Sequence, residues 1–321
     1  MDTTLKKIAL EEHFITPDFI KYTQDDFSAM DKSCVDDFVT RLLDFEDKRI
    51  EKMDEAGIEI AVLSLTDPGV QREPDTATAI KLAQKTNDFL AEKISKNPKR
   101  FRGFAHLAMQ DPKAAAKELE RSILEYNFVG ALINGQTEGK YLDEEEYYPF
   151  WEKVQELEVP IYLHPGAPYK IPYNCKDQLE LAGPLWEWGV ETATHALRLV
   201  FSGLFDRFPK VKIILGHMGE TLPYVLWRLD SRWNILQHKM SLKKAPSEYI
   251  KESLYVTTSG MCSKGPLLCA ISELTENNVM FSVDYPYESS KLASQFIEQV
   301  PIDEKAREKI CYQNAKRILK L

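Results

Sequence analysis

The segment IALEEHF at residues 8–14 is an apolar run of strand length that ends in two glutamates and a histidine. Seven further apolar or β-branched runs follow it, and amphipathic segments separate them. These runs occupy residues 58–65, 101–108, 128–135, 159–165, 211–219, 254–260 and 279–286. Eight buried strands that alternate with helices are typical of an α/β protein, so the pattern predicts a (β/α)8 TIM barrel.

Helix-start signals between the runs support this alternation. Asp75 precedes the amphipathic residues 76–95, and Asp111 precedes a proline, which is favoured at the first helical position. Both segments are therefore expected to form outer helices of the barrel.

Two long segments, near residues 15–45 and 165–185, follow the first and fifth runs. In a barrel such segments lie at the rim where the strands end, and that rim carries the active site. The chain contains no internal repeat and no linker rich in proline and glycine. We therefore expect residues 1–321 to form a single domain with insertions at the rim.

Composition excludes several classes of function. The chain has 321 residues, of which 44% are hydrophobic and 28% charged, as in a globular protein with a large core. Its net charge of -9 argues against nucleic acid as a partner. An anionic substrate would need a metal or an arginine to attract it against this overall field.

The chain also lacks the sequence features of secretion and membrane insertion. Residues 1–10 contain no apolar signal segment, and no apolar run is long enough to span a membrane. Five scattered cysteines, without a C-x-x-C pair, are expected to be reduced thiols. These features predict a cytoplasmic protein without a membrane partner.

Polar side chains end several of the eight runs. Glu11 and His13 end the first run, His164 the fifth, His217 the sixth and Asp284 the eighth. The carboxyl ends of barrel strands converge on one face, which is where barrel enzymes build their active sites. A single histidine at a strand end is more often structural, but this group would rarely coincide by chance.

Strand alternation predicts which of these side chains could bind one metal ion together. Glu11 and His13 share one face of the first strand, whereas Glu12 points to the other. With His164 and Asp284 they would give two carboxylates and two imidazoles, which suit Zn²⁺, Mn²⁺ or Fe²⁺ and leave room for a chelating substrate. We expect one divalent ion per subunit, Zn²⁺ or Mn²⁺.

The chain resembles a known family along nearly its full length. The segments ALEEHF, YLHP, LGHMGE, PYVLWR, TTSG, FSVDYP and NAKRILKL are similar to those of the amidohydrolase-related decarboxylases, especially the gamma-resorcylate and 2,3-dihydroxybenzoate decarboxylases. Hydrolytic members of that superfamily begin with H-x-H on the first strand. This chain has Glu11-x-His13 instead, as the benzoate decarboxylases do.

The resemblance implies roles for individual residues. Glu11, His13, His164 and Asp284 match the metal ligands of an amidohydrolase-like barrel. His217 and Glu220 match the catalytic histidine and the carboxylate that orients it, and Arg228 matches an arginine near that pair. An indirect salt bridge between helix positions is the structural alternative for Glu220 and Arg228.

The resemblance also implies the reaction: non-oxidative decarboxylation of an ortho-hydroxybenzoate to the phenol and CO2, reversible at high bicarbonate. Direct loss of CO2 would leave an aryl anion that the ring cannot delocalise, so the ring carbon must be protonated first. A metal can chelate the carboxylate and the ortho phenolate together. Asp284 is our candidate proton donor, and His217 is the candidate to accept the phenol proton or stabilise charge. No Gly-rich phosphate-binding motif occurs, so no cofactor besides the metal is expected.

Substrate-binding candidates are less specific. Phe14, Trp186 and Tyr285 adjoin motif residues and could pack on an aromatic ring, although isolated aromatic residues are more often core. His195 could support the site or be a packed helix residue. Two further candidates come from comparison with the family: Asn134 resembles a position near the substrate, and Asp67 stands where relatives usually carry alanine. The arginine that usually follows the His-Pro pair is also missing after His164.

Other functions remain open at this stage. A metal-dependent hydrolase of a lactone or amide could use the same barrel, as could a decarboxylase of an aminocarboxymuconate semialdehyde. A barrel that only binds a metabolite or partner is a third alternative. Relatives form dimers or tetramers, so a homodimer or homotetramer is expected, with residues 227–237 as a candidate interface.

Overall fold

The computed structural model describes residues 5–27, 30–236 and 241–321. Gln237, at the end of the candidate interface, lies outside the described residues, as do residues 28–29 of the first rim segment. Within the described part there are eight strands: β1 (Lys7–Phe14), β2 (Ile58–Leu65), β3 (Phe101–Gly103), β4 (Ala131–Asn134), β5 (Ile161–His164), β6 (Ile213–Leu215), β7 (Leu254–Thr257) and β8 (Val279–Met280).

The strands form a closed parallel barrel, as the sequence predicts. β1 to β3 pair in order, and so do β4 to β8. Parallel bridges join the two groups, one between Ala105 and Ala131 and the other between Glu12 and Tyr285. The strands thus follow one another around the barrel in sequence order, with the last closing against the first, and the chain has the TIM-barrel architecture.

Several strands are shorter than the apolar runs that predicted them. The eighth run extends to residue 286, whereas β8 contains only two paired residues. Asp284 therefore lies in the loop after β8, and His217 lies in a turn after β6. The last residues of these runs lie outside the strand ladder, on the rim that carries the polar side chains.

Helices surround the barrel in the described residues. They are α1 (Ile20–Phe27), α2 (Lys32–Leu43), α3 (Lys48–Glu55), α4 (Thr76–Lys96), α5 (Pro112–Tyr126), α6 (Tyr148–Leu157), α7 (Glu187–Phe201), α8 (Leu204–Arg207), α9 (His217–Glu220), α10 (Leu222–Trp233), α11 (Pro246–Ser253), α12 (Lys264–Leu274), α13 (Ser290–Gln299), α14 (Glu304–Glu308) and α15 (Asn314–Ile318). Both predicted helix starts are confirmed. Asp75 accepts a hydrogen bond from the Thr78 amide, and Asp111 accepts two from the first turn of α5.

A β-bulge in β1 changes which side chains face the barrel axis. Ala9 pairs with Ala61, and the next pair along the ladder joins Glu12 to Leu63, so β1 contains one extra residue. Ile8, before the bulge, and Leu10, within it, belong to the small core at the barrel axis, whereas Ala9 packs towards the helices. After the bulge the pattern is reversed, and odd-numbered positions face inward.

Candidate metal centre

Four predicted ligands converge at the carboxyl-terminal rim. Ligand atoms of Glu11, His13, His164 and Asp284 all lie within 4.8 Å of one another. His13 Nε2 is 3.2 Å from Asp284 Oδ1, and His164 Nε2 is 3.2 Å from Glu11 Oε1. The structure therefore brings together the whole set that the sequence suggested, from three separate parts of the barrel.

The donor atoms fit a divalent cation. Glu11 Oε1 and His13 Nε2 are buried, and neither forms a hydrogen bond of acceptable geometry. Ligand atoms that share one ion at about 2.1 Å lie about 3–4 Å apart, and the 3.2 Å separations of His13 from Asp284 and of His164 from Glu11 fall in that range. Buried acceptors left without partners are costly, and a cation between Glu11 and His13 would satisfy both atoms.

Neighbouring groups orient the two histidine ligands. The Nδ1–H of His164 donates to the Pro165 carbonyl at 2.7 Å, and His13 Nδ1 lies 3.3 Å from Ser64 Oγ. Each contact engages Nδ1 and leaves Nε2 turned towards the centre. Metal-binding histidines are held in this way in other proteins.

Tyr162 fixes the carboxylate of Glu11. Its hydroxyl donates to Glu11 Oε2 and lies 2.9 Å from Thr257 Oγ1, and both tyrosine and glutamate are buried. Burial and the negative charge of Glu11 raise the pKa of Tyr162, so the phenol stays protonated and donates. Oε1 of Glu11 is left to face the centre.

His217 and Glu220 form a pair beside the four ligands. His217 Nδ1 is 2.6 Å from Glu220 Oε1, and its Nε2 is 3.7 Å from Asp284 Oδ2. Burial lowers the pKa of His217, but the charges of Glu220, Glu11 and Asp284 outweigh it and raise that pKa well above its usual value. The pair therefore favours an imidazolium next to Asp284.

The backbone that carries this pair is unusual. His217, Met218 and Glu220 have positive φ angles of 49°, 57° and 51°, and Asp284 has one of 79°. Left-handed conformations are rare for residues with a side chain and occur mainly where function requires them. The α9 turn thus directs the imidazole of His217 inward immediately after β6.

Two glycines leave room for the carboxylates. A Cβ atom on Gly216 would lie 2.8 Å from Glu11 Oε2, and one on Gly189 would lie 2.9 Å from Glu220 Oε2. A larger residue at either position would displace the carboxylate from its observed position.

Buried charges at the site are balanced by one another. Burial raises the pKa of Asp284, but the nearby imidazoles of His13 and His217 outweigh this effect and lower it. Glu12 points away from the centre and accepts a hydrogen bond from the Val283 amide. Burial raises the pKa of Glu12 well above its usual value.

Two predicted substrate contacts face the helix layer rather than the site. Phe14 packs against Phe45, with ring centroids 5.6 Å apart, and Tyr285 lies against the guanidinium of Arg49 at 4.7 Å. The expectation that these rings line the substrate pocket is therefore corrected. After the bulge, His13 faces inward, so strand alternation turns Phe14 outward.

In the described part of the chain, three other candidates form no hydrogen bond or ion pair with the four ligands. His195 is buried in α7, where it accepts a hydrogen bond from the Leu142 amide. Trp186 precedes α7 and is 55% exposed. Arg228 is exposed on α10, and among the described residues it has no hydrogen bond or ion pair with His217 or Glu220. A left-handed Thr221 separates α9 from α10, so helical spacing does not relate Arg228 to Glu220.

Asp67 and Asn134 line one cavity of about 270 Å³. Asn134 is the strand neighbour of His164, and Asp67 follows β2. The structure therefore places both residues near the metal centre.

Sequence reasoning missed several residues that support the centre. They are Ser64, Tyr162, Thr257, Ser282 and Tyr287, whose ring lies 5.8 Å from that of His13. Tyr162 precedes His164 by two residues, so strand alternation could have identified it. Ser282 and Tyr287 lie in the loop after β8, and nothing in the pattern of the eighth run marks either of them as a contact of the centre. No helix among the described residues is both long and apolar enough to cross a membrane.

Comparison with known proteins supports a decarboxylase site. The family model described as amidohydrolase matches residues 35–321. A gamma-resorcylate decarboxylase of Polaromonas sp. (strain JS666) is 45% identical over 324 residues, covering 98% of this chain and 98% of that protein.

Two solved structures extend this likeness to three dimensions. A 2,6-dihydroxybenzoate decarboxylase complexed with 2,6-dihydroxybenzoate has a TM-score of 0.93 at 42% identity, covering 98% of this chain and 99% of that chain. The dihydroxybenzoic acid decarboxylase of Polaromonas sp. JS666, with bound manganese and the inhibitor 2-nitroresorcinol, has a TM-score of 0.92 at 45% identity, covering 98% and 97%. All three are decarboxylases, so the hydrolase alternative is not favoured.

Proposed function

The chain belongs to the amidohydrolase family, and on this basis we propose that it decarboxylates 2,6-dihydroxybenzoate (gamma-resorcylate) at a single divalent metal centre. The enzyme is a carboxy-lyase that converts an ortho-hydroxybenzoate to the phenol and CO2 without an oxidant. The observation that carries the proposal is the convergence of Glu11, His13, His164 and Asp284.

The metal has a defined place in this proposal. A divalent ion held by these four side chains would supply Lewis acidity that orients a chelating hydroxybenzoate and lowers the pKa of its phenol. Two carboxylates and two imidazoles suit Mn²⁺ and Zn²⁺ equally. Mn²⁺ is the first ion to test because the Polaromonas enzyme holds manganese.

Asp284 is the proposed proton donor to the ring. It must first be protonated, since its pKa is lowered by His13 and His217. His217 lies 3.7 Å away and favours the charged form, so it can deliver that proton. The proton then passes to the ring carbon that bears the carboxylate, the bond to the carboxylate breaks, and its electron pair returns to the ring as CO2 leaves.

Glu220 is proposed to orient His217 and to stabilise its positive charge. The pair lies beside the centre, so it also offsets the negative charge that a phenolate brings. One proton is taken up in each turnover, and the reverse reaction at high bicarbonate would return it through the same residues. We retain Asp67 and Asn134 as substrate contacts, and Trp186, His195 and Arg228 stay predictions.

We further propose that the enzyme is a cytoplasmic homodimer or homotetramer built from one domain over residues 1–321. The support is an exposed apolar face on α10 and the segment after it. Tyr224 and Trp227 are 84% and 78% exposed, and Ile235 and Leu236 are exposed beside them. Monomeric proteins seldom leave such a patch uncovered. Light scattering of the wild-type protein and Trp227→Lys would test this interface.

The decarboxylase proposal is tested with metal-loaded protein and four acids: 2,6-dihydroxybenzoate, 2,3-dihydroxybenzoate, salicylate and benzoate. Chromatography would follow the phenolic product. We expect product from at least one hydroxylated acid and none from benzoate. Chelation should abolish turnover, and added Mn²⁺ or Zn²⁺ should restore it. Hydrolysis of a lactone or amide with every benzoate unchanged would refute the proposal.

A further inference from the structure

Two arginines that follow β1 contact the backbone beside two of the four ligands. Arg49, in α3, donates from Nη2 to the carbonyl oxygen of His13 at 2.6 Å. Arg41, near the end of α2, donates from Nη1 to the carbonyl oxygen of Pro286 at 2.7 Å. Pro286 follows Asp284 by two residues. Side chains from one segment of the chain thus hold both the end of β1 and the loop after β8.

The carbonyl group of His13 lies where the pairing of β1 with β8 has ended. The His13 amide donates to the Tyr285 carbonyl at 2.7 Å, and in parallel pairing the amide and the carbonyl of one residue bond to the same neighbour. The next position in that neighbour is Pro286, which has no N–H, and the Tyr287 amide donates within its own loop. Arg49 therefore supplies the donor that a regular strand would have supplied.

Arg49 is buried, and its hydrogen bonds within the described residues all go to backbone carbonyl groups. Besides His13, Nε binds the Asp44 carbonyl at 2.8 Å, and Nη2 lies 3.3 Å from the Arg41 carbonyl. The ring of Tyr285 lies 4.7 Å from the guanidinium. An apolar side chain of similar volume is often as stable in such a position as a buried cation. Stability alone therefore does not account for this arginine, and its contact with His13 indicates a role at the metal centre.

Arg41 makes the corresponding contact on the side of β8. Its Nη2 pairs with Asp37 at 2.6 Å, and its side chain is 23% exposed. The Pro286 carbonyl that Arg41 binds lies in the loop that carries Asp284, whose amide donates to the Glu11 carbonyl at 3.0 Å. The position of this loop therefore affects the ligands of both β1 and β8.

We propose that Arg41 and Arg49 are positioning residues that keep His13 and Asp284 close enough to bind the same metal ion. The facing atoms of these two ligands lie 3.2 Å apart, and each arginine holds the backbone next to one of them. The arginines act through the backbone, so they are not catalytic residues. This inference rests on the proposed function, because it concerns the same metal centre.

The test measures metal binding and folding separately in Arg41→Met and Arg49→Met. Methionine is a long side chain without a hydrogen-bond donor. Titration of the metal-free protein with Mn²⁺ against a competing chelator gives the affinity, and urea unfolding of the metal-free protein gives its stability. We expect the affinity for Mn²⁺ to fall about tenfold or more in Arg49→Met and about threefold or more in Arg41→Met.

Arg100→Met is the matched control for Arg41→Met. Arg100 is also 23% exposed, pairs with Asp54 at 2.7 Å and donates to the carbonyl groups of Ile58 and Glu59. These carbonyl groups lie at the start of β2, at the end of the barrel opposite to the ligands. We expect Arg100→Met to lower the stability of the metal-free protein as Arg41→Met does, and to bind Mn²⁺ like the wild type.

The control separates positioning from a general effect on folding. Weaker Mn²⁺ binding in Arg41→Met and Arg49→Met, with wild-type binding in Arg100→Met, supports the inference. Wild-type affinity in Arg41→Met, or an equal loss in Arg41→Met and Arg100→Met, would overturn it. Because Arg41 is partly exposed, this comparison decides the question even if Arg49→Met does not fold. No acid is decarboxylated in the titration, so a protein that binds Mn²⁺ in this way without decarboxylase activity would refute the proposed function alone.

Discussion

The hydroxyl oxygen of Ser282 lies 2.6 Å from the backbone nitrogen of Glu11. The same oxygen lies 3.2 Å from the nitrogen of Leu10, so it accepts hydrogen bonds from two successive amides. These two residues lie at the bulge of β1, where the ladder offers no regular partner. Ser282 thereby stabilises the extra residue that turns Glu11 and His13 towards the barrel axis.

Ser282→Ala should weaken both the fold and metal binding. Two buried amides would lose their acceptor, which costs about 1–3 kcal/mol of stability. The bulge would then hold Glu11 less firmly. Groups that orient metal ligands typically contribute about 10- to 100-fold to the affinity for the metal ion. Urea unfolding and a competitive chelator titration with Mn²⁺ would measure the two effects. Ser95→Ala, at an exposed position on α4, should leave both unchanged. Unaltered metal affinity in Ser282→Ala would contradict this role.

Gly216→Ala should impair the metal centre without straining the backbone. Gly216 has a φ angle of -69°, which alanine adopts readily, so the effect comes from the 2.8 Å approach of the new Cβ to Glu11 Oε2. We expect Mn²⁺ affinity to fall by about tenfold or more, with turnover falling in parallel.

Gly265→Ala supplies the matched control for this steric effect. A Cβ atom on Gly265 would meet nothing within 4 Å, and the residue lies in α12. Alanine should raise stability there by about 0.5–1 kcal/mol and leave metal binding unchanged. If both variants bound Mn²⁺ like the wild type, the crowding argument would fail.

Glu220→Gln should slow turnover while the protein keeps its metal. The amide removes the negative charge that holds a proton on His217, so the reactive form becomes scarcer. Loss of one proton-transfer group typically costs about 10²-fold or more in kcat. The pKa of His217 should fall, so activity that depends on the imidazolium should be lost at a lower pH than in the wild type.

Glu252→Gln tests whether any loss of a glutamate has this effect. Glu252 pairs with Lys244 on the protein surface and is about half exposed. Steady-state pH profiles and metal analysis of both variants would separate positioning from folding. A Glu220→Gln enzyme with wild-type kcat and an unshifted profile would rule out the proposed pair.

His195 should make stability depend on pH. Burial, together with the positive charge of Arg198, lowers the pKa of His195 from 6.5 to about 3. The unfolded chain therefore binds a proton between these values that the folded protein does not, so stability falls as the pH drops below about 7. From pH 7.5 to 5.5 the loss is about 1.4 kcal/mol for one histidine.

His195→Gln should remove this share of the pH dependence. Urea unfolding of both proteins from pH 9 to 5.5 would give the free energy of unfolding as a function of pH. Above pH 8 the two plots should run parallel because the histidine is neutral in both the folded and the unfolded state. Parallel curves over the whole range would show that His195 titrates normally in the folded protein.

The repeating pattern of the chain was enough to predict the barrel. Eight apolar runs and the caps at Asp75 and Asp111 depend on local spacing, and local spacing reports secondary structure directly. The pattern did not predict where the strands end, because Asp284 and His217 lie beyond the paired residues of β8 and β6. It also gave no basis for excluding Phe14 or Tyr285 from the site, because adjacency in sequence does not fix the direction of a side chain.

By itself, the sequence determined the fold class and singled out the four candidate ligands, since both follow from the type and period of the residues. Tertiary structure alone decided that the ligands face one another. The small core at the barrel axis contains Leu10, so simple alternation would direct Glu11 and His13 at the helices. Only the bulge reverses this direction, and its acceptor is the hydroxyl of Ser282, 271 positions further along the chain. A contact between residues so distant in sequence forms only when the barrel closes, and no local pattern records it.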